Sequence, residues 1–345
     1  MTFYRSPASL KPTWVLSLLI ACTTANAQGS AGDCVNVIGD AARLACYDRA
    51  HGRTEPVPVQ PATAASKTPP PASTATHSTL STRWDLEGPK GVMFGPRAYR
   101  PVYLLPATWT DRVNRRPSSP TARNNVDSDL ELVTPETKYQ ISLKAKLGQH
   151  LLGTQLSLWG GYTQSSRWQV YNGPASRPFR ETNYEPELIL VWPMRGELWG
   201  WQMRMGSVSF LHQSNGRSLP LSRSWNRVVG TLALERGGWV AELRPWLRLR
   251  EKPADDDNPD IEDHIGRAEL LLGHYWSEQA LTLQLRHSLR GGERSRGSAQ
   301  LDWVFPLKSA LHGYVQVFSG YGESMIDYNQ AQTKVGVGVT IAGWR

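Results

Sequence analysis

His212, Ser214 and Asn226 are the residues of this 345-residue chain whose types and spacing could do covalent chemistry. On an extended strand, side chains two positions apart emerge on one face, so His212 and Ser214 share a face. Between Ser214 and the next apolar run lies Asn215-Gly216-Arg217-Ser218-Leu219-Pro220, rich in turn formers. A hairpin closing around Leu219 sets Asn226 opposite His212. Together the three supply a nucleophile, a base and a group that orients the base, which is what acyl transfer needs, with a neutral Asn accepting from the His ring in place of Asp. Spacing alone carries little weight, because His-x-Ser pairs arise by chance and most lie on surfaces. Phase is independent of spacing. Asn226 shares parity with Val228, Leu232 and Leu234, and His212 and Ser214 share parity with Val208 and Phe210. Upstream, Trp201, Met203 and Met205 put the apolar residues on odd positions, so the pattern slips by one near Gly206-Ser207, which predicts a β-bulge there. All three polar side chains are therefore expected on the apolar face, a costly place for them unless function requires it.

The elements that must hold them are strands. Trp239, Ala241, Leu243, Leu247 and Leu249 alternate with Glu242, Arg244, Arg248 and Arg250. Leu281, Leu283 and Leu285 alternate with polar neighbours in the same way, as do Leu301, Trp303 and Phe305, and Val335, Val337, Val339 and Ile341. Repeated period-two segments of roughly ten residues, split by turns such as Arg236-Gly237-Gly238, mean a half-buried antiparallel sheet. A soluble sandwich and a membrane barrel share that signature. Full charges on the polar face favour a barrel with a water-filled or salt-bridged lumen. So do aromatic residues at strand ends (Trp199, Trp239, Tyr275, Trp276, Tyr314, Trp344), where interfacial girdles belong. The longest apolar run, Trp14 to Cys22, is too short for a membrane-spanning helix. Hydrophobic residues make up 40% of the chain, too many for a wholly disordered protein. The net charge of +8 is spread without long basic runs, so no nucleic-acid partner is expected.

The chain divides by composition. Arg5 and Lys11, then an apolar core and Ala25-Asn26-Ala27, read as a signal peptide over 1–27, with the lipobox-like Leu19-Ile20-Ala21-Cys22 as a rival that would lipidate Cys22. Residues 28–54 hold Cys34 and Cys46, an even pair suited to a disulfide stapling a small turn or helical hairpin. Residues 55–81 are a Pro/Ala/Thr-rich linker, 82–137 a mixed lead-in without sustained period, and 138–345 the strand domain.

Several long motifs in one order give the chemistry a context. His212-Gln213-Ser214-Asn215-Gly216-Arg217-Ser218, continuing to Ser222-Arg223-Ser224-Trp225-Asn226-Arg227, resembles the active-site signature of the bacterial outer membrane phospholipase A family. Phe179-Arg180-Glu181-Thr182-Asn183-Tyr184-Glu185-Pro186, Asp256-Asp257-Asn258-Pro259-Asp260-Ile261 and Ser319-Gly320-Tyr321-Gly322-Glu323-Ser324 are similar to the same family. The resemblance covers roughly Tyr139 to the C-terminus. It implies an all-β fold, an antiparallel transmembrane barrel of about twelve strands in the bacterial outer membrane; the N-terminal extension, outside the resemblance, is expected in the periplasm. It further implies a calcium-dependent hydrolase of phospholipid and lysophospholipid acyl esters, working as a homodimer with its triad on the lipid-facing wall. Ser214 is then the nucleophile, His212 the general base, Asn226 the residue holding the His tautomer, and the Gly216 amide the oxyanion donor. Ser222 and the Arg217 carbonyl become Ca²⁺ ligands, with Ser176 completing the site from the second subunit, and Gln164 lies at the dimer interface. By parity Gln164 shares a face with Leu156, Leu158 and Tyr162, the outward one. Leu219 stands where the family often carries an acidic residue, so a second calcium position is not carried over.

Other candidates are weaker. Asp255-Asp256-Asp257-Asn258-Pro259-Asp260 lacks the Gly and distant Glu of an EF-hand loop and reads as a solvated turn. Gly291-Gly292-Glu293-Arg294-Ser295-Arg296-Gly297 reads as a basic loop, and His274, His287 and His312 show no ligand spacing. The main rival reading is a porin or structural barrel in which the triad residues are bystanders, and a soluble esterase on a sandwich is third.

Overall fold

The computed structural model describes residues 31–52, 78–87, 93–308 and 311–342. The expected signal peptide, Cys22, most of the linker and Trp344 lie outside the described residues. Residues 31–52 belong to a separate compact unit, in which the turn Ala31–Asn36 and helix α1 (Asp40–Ala50) are joined by a Cys34–Cys46 disulfide.

In the second unit, twelve long antiparallel strands form one closed sheet. They are β1 (Val102–Thr110), β2 (Glu136–Leu151), β3 (Leu156–Trp168), β4 (Phe179–Pro193), β5 (Trp201–Ser214), β6 (Ser224–Arg236), β7 (Trp239–Leu249), β8 (Ala268–Trp276), β9 (Gln279–His287), β10 (Gly297–Pro306), β11 (His312–Gly320) and β12 (Gln332–Ala342). Each pairs with its sequence neighbour, and β12 pairs with β1 to close the wall. The wall therefore begins inside the segment that sequence period left as a lead-in. Pro106 and three register shifts break the alternation of β1, one against β2 between Leu105 and Thr108 and two against β12, between Val337 and Val339 and between Thr340 and Ala342.

Side-chain alternation sorts as a barrel demands. On β7, Leu247 is 74% exposed and its neighbour Trp246 is 6%. Leu243, Leu281, Leu301, Val335 and Val337 also lie outside, while Arg244, Asp302, Gln316 and Lys334 are buried inside. Such an exterior is stable only against lipid, and no edge strand is left unpaired. Trp199, Trp239 and Trp276 face out as expected of girdle residues. Tyr314 and Tyr275 do not: Tyr314 is buried and stacks on Tyr103 at 4.9 Å, and Tyr275 packs against the interior clusters. Tyr314 shares parity with the buried Gln316, and Tyr275 is the cross-strand partner of the buried Ala280, so strand phase overrides position near a strand end.

The lumen is crossed by ion pairs. Glu323, from the loop after β11, meets Lys138 at 2.9 Å, Lys334 at 3.1 Å and Arg167 at 3.2 Å. Arg180 bridges Glu136 at 2.8 Å and Asp327 at 2.6 Å. Toward the short-turn end the helix α2 (Thr79–Trp84) enters the barrel: Leu80 N donates to Glu235 Oε1 at 2.6 Å, and Trp84 packs edge-on against Tyr99 and Trp159. Lys144 Nζ sits 3.1 Å from the Trp84 ring centroid. Among the described residues, ion pairs and packed aromatic rings occupy much of the space that a porin leaves to water.

Candidate active site

The β5–β6 hairpin positions the expected triad. His212 and Asn226 are direct partners across it, and Ser214 is opposite Ser224. The register shift that re-aims the strand falls between Met203 and Met205, two residues before the predicted slip. Beyond it Val208 and Phe210 point outward while Ser209 and Leu211 are buried, so His212 and Ser214 continue the outer face. His212 Nδ1 lies 2.8 Å from Asn226 Oδ1. A carbonyl oxygen only accepts, so Nδ1 carries the hydrogen and Nε2 presents a lone pair. Among the described residues no hydrogen bond ties the Ser214 hydroxyl, which is free to turn toward that lone pair.

The loop 215–223 is held by Asn215, which is 3% exposed. Its Oδ1 accepts from Arg223 N at 3.0 Å and Arg217 N at 3.3 Å, and its Nδ2 donates to Leu221 O at 2.7 Å. Gly216 has φ +61°, and a Cβ there would stand 3.1 Å from the Tyr184 ring. Backbone conformation and closeness to Tyr184 thus both ask for glycine. Its N–H and the Arg217 carbonyl have no hydrogen-bond partner among the described residues. Arg223 is buried beneath the loop and donates to Pro220 O, Ser222 O and Asn124 O.

The acidic stretch 255–260 is not a solvated turn. Asp256, Asp257 and Asn258 are buried because loops from three connections close over them. Asp257 Oδ2 accepts from Ser222 Oγ at 2.6 Å, and Asp257 also pairs with Arg123 at 3.1 Å. Asp256 pairs with Arg248 at 2.7 Å, Asn258 Oδ1 accepts from Ser224 N at 3.0 Å, and Ser119 Oγ donates to Asp257 O. These are the site residues that sequence reasoning missed; the only signal was their place in a motif shared with the family.

Among the described residues no group of three or more His, Cys, Asp or Glu side chains could hold a metal. The expected calcium donors are of another kind, a hydroxyl and a backbone carbonyl. Ser222 Oγ with the Asp257 carboxylate behind it, and the unpartnered Arg217 carbonyl, are hard oxygens that fit Ca²⁺. Ser176 is exposed in the loop between β3 and β4 with φ +59°, and Gln164 lies on the outer face, where its Oε1 accepts from Tyr162 OH at 3.1 Å. Asn226 has a further partner: its Nδ2 donates to Glu251 Oε1 at 3.2 Å.

Residues 80–341 match the family model described as phospholipase A1. A putative phospholipase A1 of Neisseria meningitidis is 39% identical over 260 residues, covering 74% of this chain and 66% of that protein, so the chain spans about two thirds of that relative's length. Phospholipase A1 of Klebsiella pneumoniae is 39% identical over 243 residues, 70% of this chain and 81% of that protein. Among solved structures, outer membrane phospholipase A from Escherichia coli superposes with a TM-score of 0.66 at 36% identity, over 75% of this chain and 96% of that one. The Salmonella typhi outer membrane phospholipase, solved as a dimer with bound calcium, gives 0.65 at 36% identity, over 73% and 94%. A match that takes in the whole described barrel, at this identity, is family membership: the chain belongs to the outer membrane phospholipase A family and is a β-barrel of the bacterial outer membrane.

Proposed function

We propose that the chain is a calcium-dependent, dimer-activated phospholipase that cleaves acyl esters of phospholipids and lysophospholipids at the outer wall of its barrel. The carrying observation is the His212–Asn226 hydrogen bond of 2.8 Å on the lipid-facing side of the hairpin, with Ser214 two residues along the same face. A lipid ester approaching from the membrane meets these groups without leaving the bilayer.

Ser214 Oγ attacks the ester carbonyl carbon while its proton passes to His212 Nε2. The carbonyl oxygen, now an oxyanion, is received by the Gly216 N–H. His212 then returns the proton to the departing glycerol oxygen, which leaves an acyl-serine. Water repeats the sequence: His212 takes its proton, the hydroxide adds, and the fatty acid departs as Ser214 regains the proton. Asn226 Oδ1 keeps the imidazole turned with Nε2 toward Ser214 throughout. Ser222 Oγ and the Arg217 carbonyl, with Ser176 of the partner subunit, would hold Ca²⁺, and Gln164 would contact the other subunit across the interface. When bound, the cation supplies positive charge near the oxyanion, charge that a neutral Asn does not provide. The related Salmonella typhi structure, a dimer with bound calcium, supports this part of the reading.

A fluorophosphonate probe tests the nucleophile directly. The probe should label Ser214, identified by peptide mass spectrometry, in calcium but not in chelator, and His212→Ala should suppress labelling. Labelling elsewhere, or labelling indifferent to His212, overturns the triad.

A further inference from the structure

We propose that Glu251 is a fourth member of the relay, a positioning residue that accepts a hydrogen bond from Asn226 Nδ2 and so fixes which end of the Asn226 amide faces His212. This rests on the triad reading above. An Asp in the orienting position has two equivalent oxygens; an Asn has one acceptor end and one donor end of almost the same shape. If the amide turned over, Nδ2 would donate to His212 Nδ1, and the ring hydrogen would move to Nε2. No lone pair would then remain to take the Ser214 proton. Turning over costs nothing in volume, so a neutral Asn needs a neighbour that tells its two ends apart.

Glu251 is that neighbour. Its Oε1 lies 3.2 Å from Asn226 Nδ2, while Asn226 Oδ1 lies 2.8 Å from His212 Nδ1. An ionised carboxylate only accepts, so with the amide reversed two acceptors would face each other. Asn226 pairs with Leu249, the last residue of β7, and Glu251 lies two residues past it, where the chain leaves the strand. Arg248 anchors the chain on one side of it through Asp256, Asn258 O and Pro259 O. The segment that carries Glu251 is thus tied to the same loops that hold Ser222. Its negative charge also favours the imidazolium that forms at His212, from beyond the amide.

The test is a double-mutant cycle on kcat and KM for acyl release in mixed micelles at saturating calcium. Glu251→Ala should lower kcat about tenfold, the scale of one charge-assisted hydrogen bond, with KM and the calcium requirement within about twofold. In an Asn226→Ala background there is no amide to orient, so Glu251→Ala should have no further effect; a residue that merely braces the loop would cost the same factor in both backgrounds. Asn226→Asp sets carboxylate against carboxylate, and there Glu251→Ala should raise kcat rather than lower it. The rate of fluorophosphonate labelling gives the same comparison where turnover is too slow to follow. Unchanged kcat in Glu251→Ala, or an equal loss in every background, overturns the inference while leaving the phospholipase reading standing. Wild-type protein without Ser214-dependent acyl release overturns that reading itself.

Discussion

In the proposed mechanism, Gly216 and Asp257 carry the least replaceable demands after Ser214, His212 and Asn226. Gly216 needs φ +61° and has only 3.1 Å to the Tyr184 ring. Gly216→Ala therefore both strains the backbone and moves the oxyanion donor, and we expect kcat to fall about 100-fold in the micelle assay, the scale of one lost oxyanion donor. Asp257 reaches the reaction only through the Ser222 hydroxyl at 2.6 Å. Asp257→Asn should raise the calcium concentration for half-maximal activity about tenfold, the usual cost of losing a residue behind a ligand, with activity recovering at high calcium. Recovery failing at any calcium level would contradict that role. Parity placed His212, Ser214 and Asn226 on one face, since a two-residue spacing and a register of paired strands are local facts; the roles proposed for them come from the family resemblance. Asp257 and Glu251 were not, because their approach to Ser222 and Asn226 depends on how an irregular loop folds back. Period says nothing about such a loop.

The loops over the site behave as one element. Asn215 supplies three hydrogen bonds to its own loop, and Asn258 and Arg223 tie that loop to its neighbours. Asn215→Ala should slow turnover and hasten protease cleavage between Asn215 and Ser222 while leaving the barrel's heat-modifiable migration in electrophoresis unchanged. Asp260 latches the next loop, accepting from Tyr328 OH at 2.5 Å and standing 3.1 Å from His264 Nε2. Burial alone would raise its carboxyl, but the hydrogen bonds from His264 and Tyr328 outweigh burial and hold it below the ordinary 3.8. A depressed carboxyl contributes stability above its unfolded value and loses it as pH falls through the folded one. Wild-type loop protection, read by hydrogen exchange of residues 255–265, should therefore weaken below about pH 4, and Asp260→Asn should remove that dependence. Alternation made β7, β9, β10 and β12 readable from sequence. It failed for β1, where Pro106 and the register shifts interrupt the period; Tyr314 and Tyr275 were misplaced not by alternation but by reading strand-end position instead of strand phase.

At the scale of the whole molecule, an apolar exterior and an ion-paired interior make the barrel a rigid frame for a site on its surface. Glu323 is the hub of that interior, fully buried among Lys138, Arg167 and Lys334. Glu323→Ala leaves buried cations uncompensated and should destabilise the barrel by about 3–5 kcal/mol, measured by urea unfolding in lipid vesicles. A loss below about 1 kcal/mol, the range of exposed pairs, would contradict a desolvated Glu323. The barrel itself was expected from the charged inner faces and the family resemblance, but the strand that closes the wall and the packing of α2 within it were not, since both join segments far apart in the chain.

The most direct test of the account is acyl release from a phospholipid in mixed micelles, comparing wild type with Ser214→Ala in calcium and in chelator. The account predicts fatty acid release only from wild type in calcium, with both proteins equally folded by heat-modifiable migration. Release that survives Ser214→Ala, or none from a folded and cross-linkable wild-type dimer in calcium, would contradict it.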